Sequence, residues 1–155
     1  MVNYLLTNNA NVNQRCCGKF FAPHDQKNER KDSFTSEYPS VCTKTNYEGW
    51  CYYGEYPLSF AAVLNQEDCV HMLMSKGADI NKQDSNGNTV IHMLVITENL
   101  VKKQIHSKML YSNLNVKIFK AMFNILMRYN PRLDTRNRQM LTPLTLAAKL
   151  GRDRV

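Results

Sequence analysis

The chain has 155 residues, of which 43% are hydrophobic, and a formal net charge of +7; this length and composition suit one globular domain rather than a disordered tail. No apolar run approaches the roughly 18 residues needed to span a membrane, and the N-terminus lacks the basic and long apolar regions of a signal peptide, so a cytosolic segment is expected. Five cysteines, an odd number without paired C-x-x-C spacing, argue against a disulfide framework and for free thiols in a reducing compartment.

The first element, residues 1–13, contains Leu5-Leu6-Thr7-Asn8-Asn9-Ala10-Asn11-Val12-Asn13, which recurs 68 residues later as Leu73-Met74-Ser75-Lys76-Gly77-Ala78-Asp79-Ile80-Asn81. It reads as the outer helix of a repeat whose inner helix is missing, so a bare helix face is expected there. Residues 14–52 form an insertion with aromatic ends, Gly18-Lys19-Phe20-Phe21 and Tyr47-Glu48-Gly49-Trp50-Cys51-Tyr52-Tyr53, around a polar run from Gln26 to Ser36. A loop of this length within a repeat array is functional or disordered, and this pattern predicts anchored ends and a mobile tip.

Residues 53–86 form the central, complete repeat. Pro57, with its ring-fixed φ, opens a short inner helix in which Leu58, Ala61 and Ala62 allow close packing. Asn65 is expected to cap a second helix, whose apolar face carries Val70, Leu73 and Met74. Gly77, followed by Ala78, ends that helix where a positive φ is expected. Gly54 and Gly87 occupy matching turns 33 residues apart, the ankyrin period, so the expected fold is an all-α ankyrin-repeat solenoid.

Residues 87–139 form a second complete repeat with an insertion at about 98–117. Thr89 is expected to cap an inner helix running to Thr97, and His92 holds the histidine position of the Thr-Pro-Leu-His signature, where a structural hydrogen bond is expected rather than catalysis or metal binding. Within the insertion, Val101, Ile105, Met109 and Leu110 recur at near-helical steps, suggesting a surface helix. Phe119, Met122, Phe123 and Leu126 then give the outer-helix face, and Asn130 stands in for the terminating glycine. Residues 140–155 start a further repeat: Thr142-Pro143-Leu144-Thr145-Leu146-Ala147-Ala148 opens an inner helix, but Met140 stands where the turn would want a glycine, implying a rearranged turn or strain. Both ends fall within a repeat, which suggests part of a longer protein and a marginally stable, association-prone piece.

Charge is uneven. Residues 1–98 carry 8 basic and 11 acidic side chains, net −3, whereas residues 99–155 carry 12 basic and 2 acidic, net +10. Two readings are open: a solvated basic face, or a face toward an anionic membrane surface or an acidic protein patch; no nucleic-acid motif accompanies the charge. Cys16, Cys17, His24, Cys42 and Cys51 have the residue types of a zinc site but not its ligand spacing. No nucleophile with a base, paired acids or phosphate loop is present, so neither an enzyme nor a cofactor is expected.

The runs Tyr53-Gly54-Glu55-Tyr56-Pro57-Leu58-Ser59-Phe60-Ala61-Ala62, Gln83-Asp84-Ser85-Asn86-Gly87-Asn88-Thr89-Val90-Ile91-His92 and Leu141-Thr142-Pro143-Leu144-Thr145-Leu146-Ala147-Ala148 closely resemble the cytosolic ankyrin domain of vanilloid-type transient receptor potential channels. Gly18-Lys19-Phe20-Phe21 with Pro23 and Asp25 resembles the start of that family's long finger loop, and Asp25-Gln26-Lys27 with Tyr47–Tyr53 looks most like invertebrate members of sensory neurons. The resemblance implies a calcium-permeable, tetrameric cation channel at the plasma membrane, in some settings ciliary, with this segment on the cytosolic side and the pore outside it. It carries no nucleotide site onto these residues, because the family's site uses earlier repeats. It makes Lys19, Phe20, Phe21, Trp50 and Tyr52 candidate contacts with a neighbouring subunit, with aromatics that cover their own repeat as the other reading. The insertion at 98–117 departs from the usual family length. A soluble ankyrin adaptor that binds a partner protein is the alternative function, because fold alone assigns none.

Overall fold

A computed structural model of the chain describes residues 1–16, 18–23, 45–47, 52–104 and 111–151. Among them the regular elements are helical: α1 (Val2–Thr7), a single 3-10 turn (Lys19–Phe21), α2 (Pro57–Val63), α3 (Glu67–Ser75), α4 (Val90–Gln104), α5 (Tyr111–Met127) and α6 (Pro143–Lys149). The inner helices α2, α4 and α6 stack in sequence, with α3 packed on α2, α5 on α4, and α1 beside α3. This is an all-α ankyrin solenoid.

The helix ends explain the register. After α3, Gly77 takes φ 85° while its N–H and that of Ala78 bond back to the carbonyls of Met74 and Leu73. Asn9 after α1 does the same at φ 61°, with Asn9 and Ala10 bonding Leu6 and Leu5. A left-handed residue past a helix end satisfies the last carbonyls, and asparagine tolerates that conformation nearly as well as glycine. Asn65 corrects its expected role on the same ground. At φ 54° it closes α2, its N–H bonding Ala62 and that of Gln66 bonding Ala61, while α3 starts from Gln66 without a side-chain cap.

The helix starting at Val90 does not stop at Thr97. The first part of the 98–117 insertion lengthens α4 to Gln104 and its last part lies in α5, so the proposed separate surface helix is replaced by two extended ones. Val101 lies in α4, whereas Ile105, Met109 and Leu110 fall outside the described residues. Thr97 is buried and its hydroxyl donates back to the Met93 carbonyl at 2.7 Å, which leaves the helix continuous.

One core cluster joins α1, α2, α3, α4 and α5 through Leu6, Leu58, Val70, Leu73, Ile91 and Leu126, among others. A second joins Tyr47 and Tyr52 to Met93, Val95, Ile96, Leu146 and Ala147. The helix α4 feeds both, with Val90 to Ile96 buried all round. Such a β-branched run has modest helix propensity, so tertiary packing holds it helical.

Candidate functional site

The long loop leaves and rejoins the solenoid through buried polar contacts. On the outgoing side, Cys16 N–H donates to the Glu55 carbonyl at 2.7 Å and Arg15 Nη1 pairs with Glu55 Oε2 at 3.2 Å. Glu55 is buried, and it also accepts from the Ser85 N–H at 2.8 Å and from the Ser85 hydroxyl. One carboxylate thereby ties the loop's start to the next repeat's turn.

On the return side, Tyr52 is buried and its hydroxyl donates to Asp84 Oδ2 at 2.8 Å while accepting from Asn88 Nδ2 at 2.6 Å. Asn88 Nδ2 also donates to the Tyr47 hydroxyl at 3.0 Å. Asp84 Oδ1 accepts from the N–H groups of Asn86 and Asn88, at 2.8 and 2.9 Å, and so shapes the turn. Gln139 Nε2 donates to the Thr45 carbonyl at 2.6 Å, joining the loop's return to the following turn.

Burial pushes the Asp84 carboxyl up to about 7, aided by the charge of Glu55, while its hydrogen bonds from Tyr52, Asn88 and Asn86 pull the other way. Burial, then the Asp84 charge, also raises Tyr52 well above the ordinary phenol value. His92 is lowered to about 4 by burial. Its Nε2 lies 3.0 Å from the Leu141 carbonyl, so Nε2 carries the proton, and Nδ1 accepts from the Thr89 N–H at 3.2 Å and meets the Thr89 hydroxyl at 2.9 Å. The neutral ring staples one turn to the next. Thr89 thus acts at the helix start through His92 rather than by capping a backbone N–H.

Among the loop residues singled out from sequence, Phe20 is exposed and Phe21 half-buried, their rings edge-to-face with centroids 5.1 Å apart in the turn that begins at Lys19. Tyr52 is corrected: with both its ring and its hydroxyl enclosed, it is an anchor and presents nothing to a neighbour. Trp50 lies outside the described residues, as do Cys17, His24, Cys42, Cys51 and the loop tip Gln26–Ser36. No group of three or more histidine, cysteine, aspartate or glutamate side chains among the described residues is placed to hold a metal ion. None of the helices described is long and apolar enough to cross a membrane.

The repeat positions hold the stack together. Gly54 and Gly87 have φ 87° and 75°, and a Cβ at Gly87 would stand 2.7 Å from Arg138 N. Leu58, Ala61, Ala62, Ala78, Thr89, Pro143 and Ala147 are buried, whereas Leu144 and Ala148 are exposed. Thr142 caps α6 in a reciprocal pair with Thr145, as Pro57 and Pro143 pre-set the first turns of α2 and α6.

Two inter-repeat asparagines were missed from sequence. Asn13 accepts from Asp79 N–H at 2.8 Å and donates to the Gly77 carbonyl at 2.9 Å, and Asn81 accepts from Arg132 N–H at 2.7 Å. The signal was present, because Asn13 and Asn81 share one position in the recurring run.

Residues 58–102 match the family described as ankyrin repeats (many copies). The chain is 33% identical over 97% of its length to human transient receptor potential cation channel subfamily V member 5, and 35% identical over 97% to human subfamily V member 2. Over 64% of the chain it is 39% identical to human subfamily V member 6. It spans only 16%, 17% and 12% of the lengths of these relatives. The chain is an ankyrin-repeat region homologous to the subfamily V transient receptor potential cation channels.

Proposed function

We propose that this chain is the cytosolic assembly and regulatory segment of a calcium-permeable cation channel subunit, with other subunits of the channel as its partners. The observation that carries the reading is similarity to channel relatives over 97% of the chain, loop included. The loop's ends are fastened by buried bonds while Phe20 stays exposed on it, an arrangement that suits presentation of the loop to a neighbour. The division into repeats at 53–86 and 87–139, with partial repeats on either side, belongs to the same reading and is supported by the recurring left-handed helix ends. The net +10 of residues 99–155 supports an anionic partner surface, a membrane or an acidic protein patch. The relatives reported above are human, so the likeness to invertebrate sensory members gains no support from them, and the proposal stops short of a sensory or ciliary role.

The test replaces Phe20, Phe21 and Trp50 with alanine in the full-length channel subunit. Weakened assembly or whole-cell current, with unchanged thermal stability of the ankyrin domain, is the expected result. Unchanged current and assembly with an intact fold would overturn the intersubunit role, and lost stability would instead assign the aromatics to their own repeats. A reading frame that continues into further repeats and then stops, without membrane spans, would favour a soluble adaptor.

A further inference from the structure

The turn at residues 84–88 is buried between the turn before α2 and the turn before α6, and the two arms of the long loop are fastened there by carboxylates in unlike surroundings. On the outgoing arm Glu55 has a cation, with Arg15 Nη1 3.2 Å from Oε2. On the returning arm Asp84 has no cation beside it among the described residues: Oδ1 accepts from the N–H groups of Asn86 and Asn88, and Oδ2 faces the Tyr52 hydroxyl at 2.8 Å. The titratable and charged groups around it are Glu55 and Tyr56 from the turn before α2, Tyr52 and Tyr47 from the arm, and Arg15 through its pair with Glu55. From α4, His92 meets Thr89 and the Leu141 carbonyl rather than the arm, and Arg138 of the next turn is exposed, with its N–H on the Asn86 carbonyl. The returning arm is also strained, because Tyr47 takes φ 53°, which sterics disfavour for a residue with a Cβ.

We propose that the contact between Asp84 and Tyr52 is a proton-dependent clasp on the returning arm of the loop, closed while Asp84 is neutral and opened, with residues 45–47 and Tyr52 moving off the turn, once it is charged. A charge on Asp84 is buried near that of Glu55 without a cation of its own. Water reaches it most directly where Tyr52 covers Oδ2, because Oδ1 is enclosed by the turn's own backbone. Tyr47 leaves with Tyr52, since Asn88 Nδ2 donates to both hydroxyls, and relief of its left-handed conformation favours the open arm. Burial holds the Asp84 carboxyl up to about 7 in the closed clasp, against 3.8 in water. Opening therefore gains at most about tenfold for each pH unit between those values and levels off above them. The clasp is internal to this chain, so it stands whether or not the loop meets a neighbouring subunit.

The experiment is amide hydrogen exchange on the chain between pH 5 and 8, with each rate corrected for its intrinsic pH dependence. Three amides are compared: Tyr47, whose N–H donates to Thr45 Oγ1 on the returning arm; Cys16, whose N–H donates to the Glu55 carbonyl on the outgoing arm; and Val70 in α3, which reports the fold. Protection at Tyr47 is expected to fall about tenfold or more from pH 5 to 7 and little further beyond, while Cys16 and Val70 change little. In Asp84→Asn, which carries no charge at any pH, the Tyr47 slope is expected to vanish. Should that variant lose helicity by circular dichroism, the contrast among the three wild-type amides decides by itself. Tyr47 protection that is level across this range, a fall at Cys16 or Val70 equal to that at Tyr47, or a slope that survives in folded Asp84→Asn would each overturn the proposal.

Discussion

Gly87 and Met140 occupy the same point of consecutive turns, at φ 75° and 61°. Met140 therefore leaves the turn intact and carries the strain: Asn137 Oδ1 accepts from Gln139 and Leu141 N–H at 3.0 and 3.1 Å, as Asp84 Oδ1 does from Asn86 and Asn88. Met140→Gly is expected to stabilise the chain by about 1 kcal/mol, read as a shift in urea midpoint. Around Gly77 a Cβ meets nothing within 4 Å, so only backbone strain opposes substitution; Gly77→Val should lose about 1 kcal/mol or more and Gly77→Asn clearly less. Asp84 and His92 set opposite pH limbs. The raised Asp84 carboxyl contributes stability that is full below 3.8 and is lost as pH rises through about 7. The lowered His92 contributes stability that is full above 6.5 and is lost as pH falls through about 4. Between about 4 and 6.5 the two contributions oppose each other and nearly cancel, so wild-type thermal melts should vary little there, whereas Asp84→Asn, which keeps an acceptor for the turn as Asn137 does in the next one, should unmask the His92 contribution as stability that falls with pH below about 6.5. Asp84→Ala should lose about 2 kcal/mol or more by stranding the N–H groups of Asn86 and Asn88.

At the scale of elements, the joints between repeats are made by side chains that belong to neither helix. Asn81 accepts from the N–H of Arg132, and Asn13 both accepts from and donates to the backbone of the following repeat. Asn81→Ala is expected to lower stability by about 1 kcal/mol and to speed amide hydrogen exchange at Arg132, with little change at Leu73 in the middle of the previous repeat. Equal acceleration at both amides would count against a local joint. Helix registers and stops were readable because left-handed asparagine and glycine recur at fixed offsets. The reading failed at Asn65 and at the insertion. Asparagine suits both a helix start and a left-handed stop, and apolar spacing does not distinguish a separate helix from the lengthening of its neighbours.

At the scale of the molecule, α4 belongs to both core clusters, so the described core has no plane along which one half can melt alone. Ile91→Ala, on the side of the first cluster, and Met93→Ala, on the side of the second, are each expected to lower stability by about 2–4 kcal/mol and to move one shared transition. Calorimetry and circular dichroism should then give coincident midpoints; two resolved transitions would show that α4 does not couple the clusters.

The sequence by itself determined the repeat: period, proline-led inner helices, apolar outer faces and left-handed stops are local or strictly periodic, and each is written in residue types at fixed spacing. It also marked His92 as a structural residue. Only the tertiary structure decided where the loop's aromatics go, because Phe20 and Tyr52 are alike in type and differ in what surrounds them. One stands in solvent, and the other is enclosed by Asp84 and Asn88, more than thirty residues away in the chain. Burial of a polar aromatic depends on whether distant donors and acceptors converge on its hydroxyl, and no spacing rule within the loop encodes that convergence.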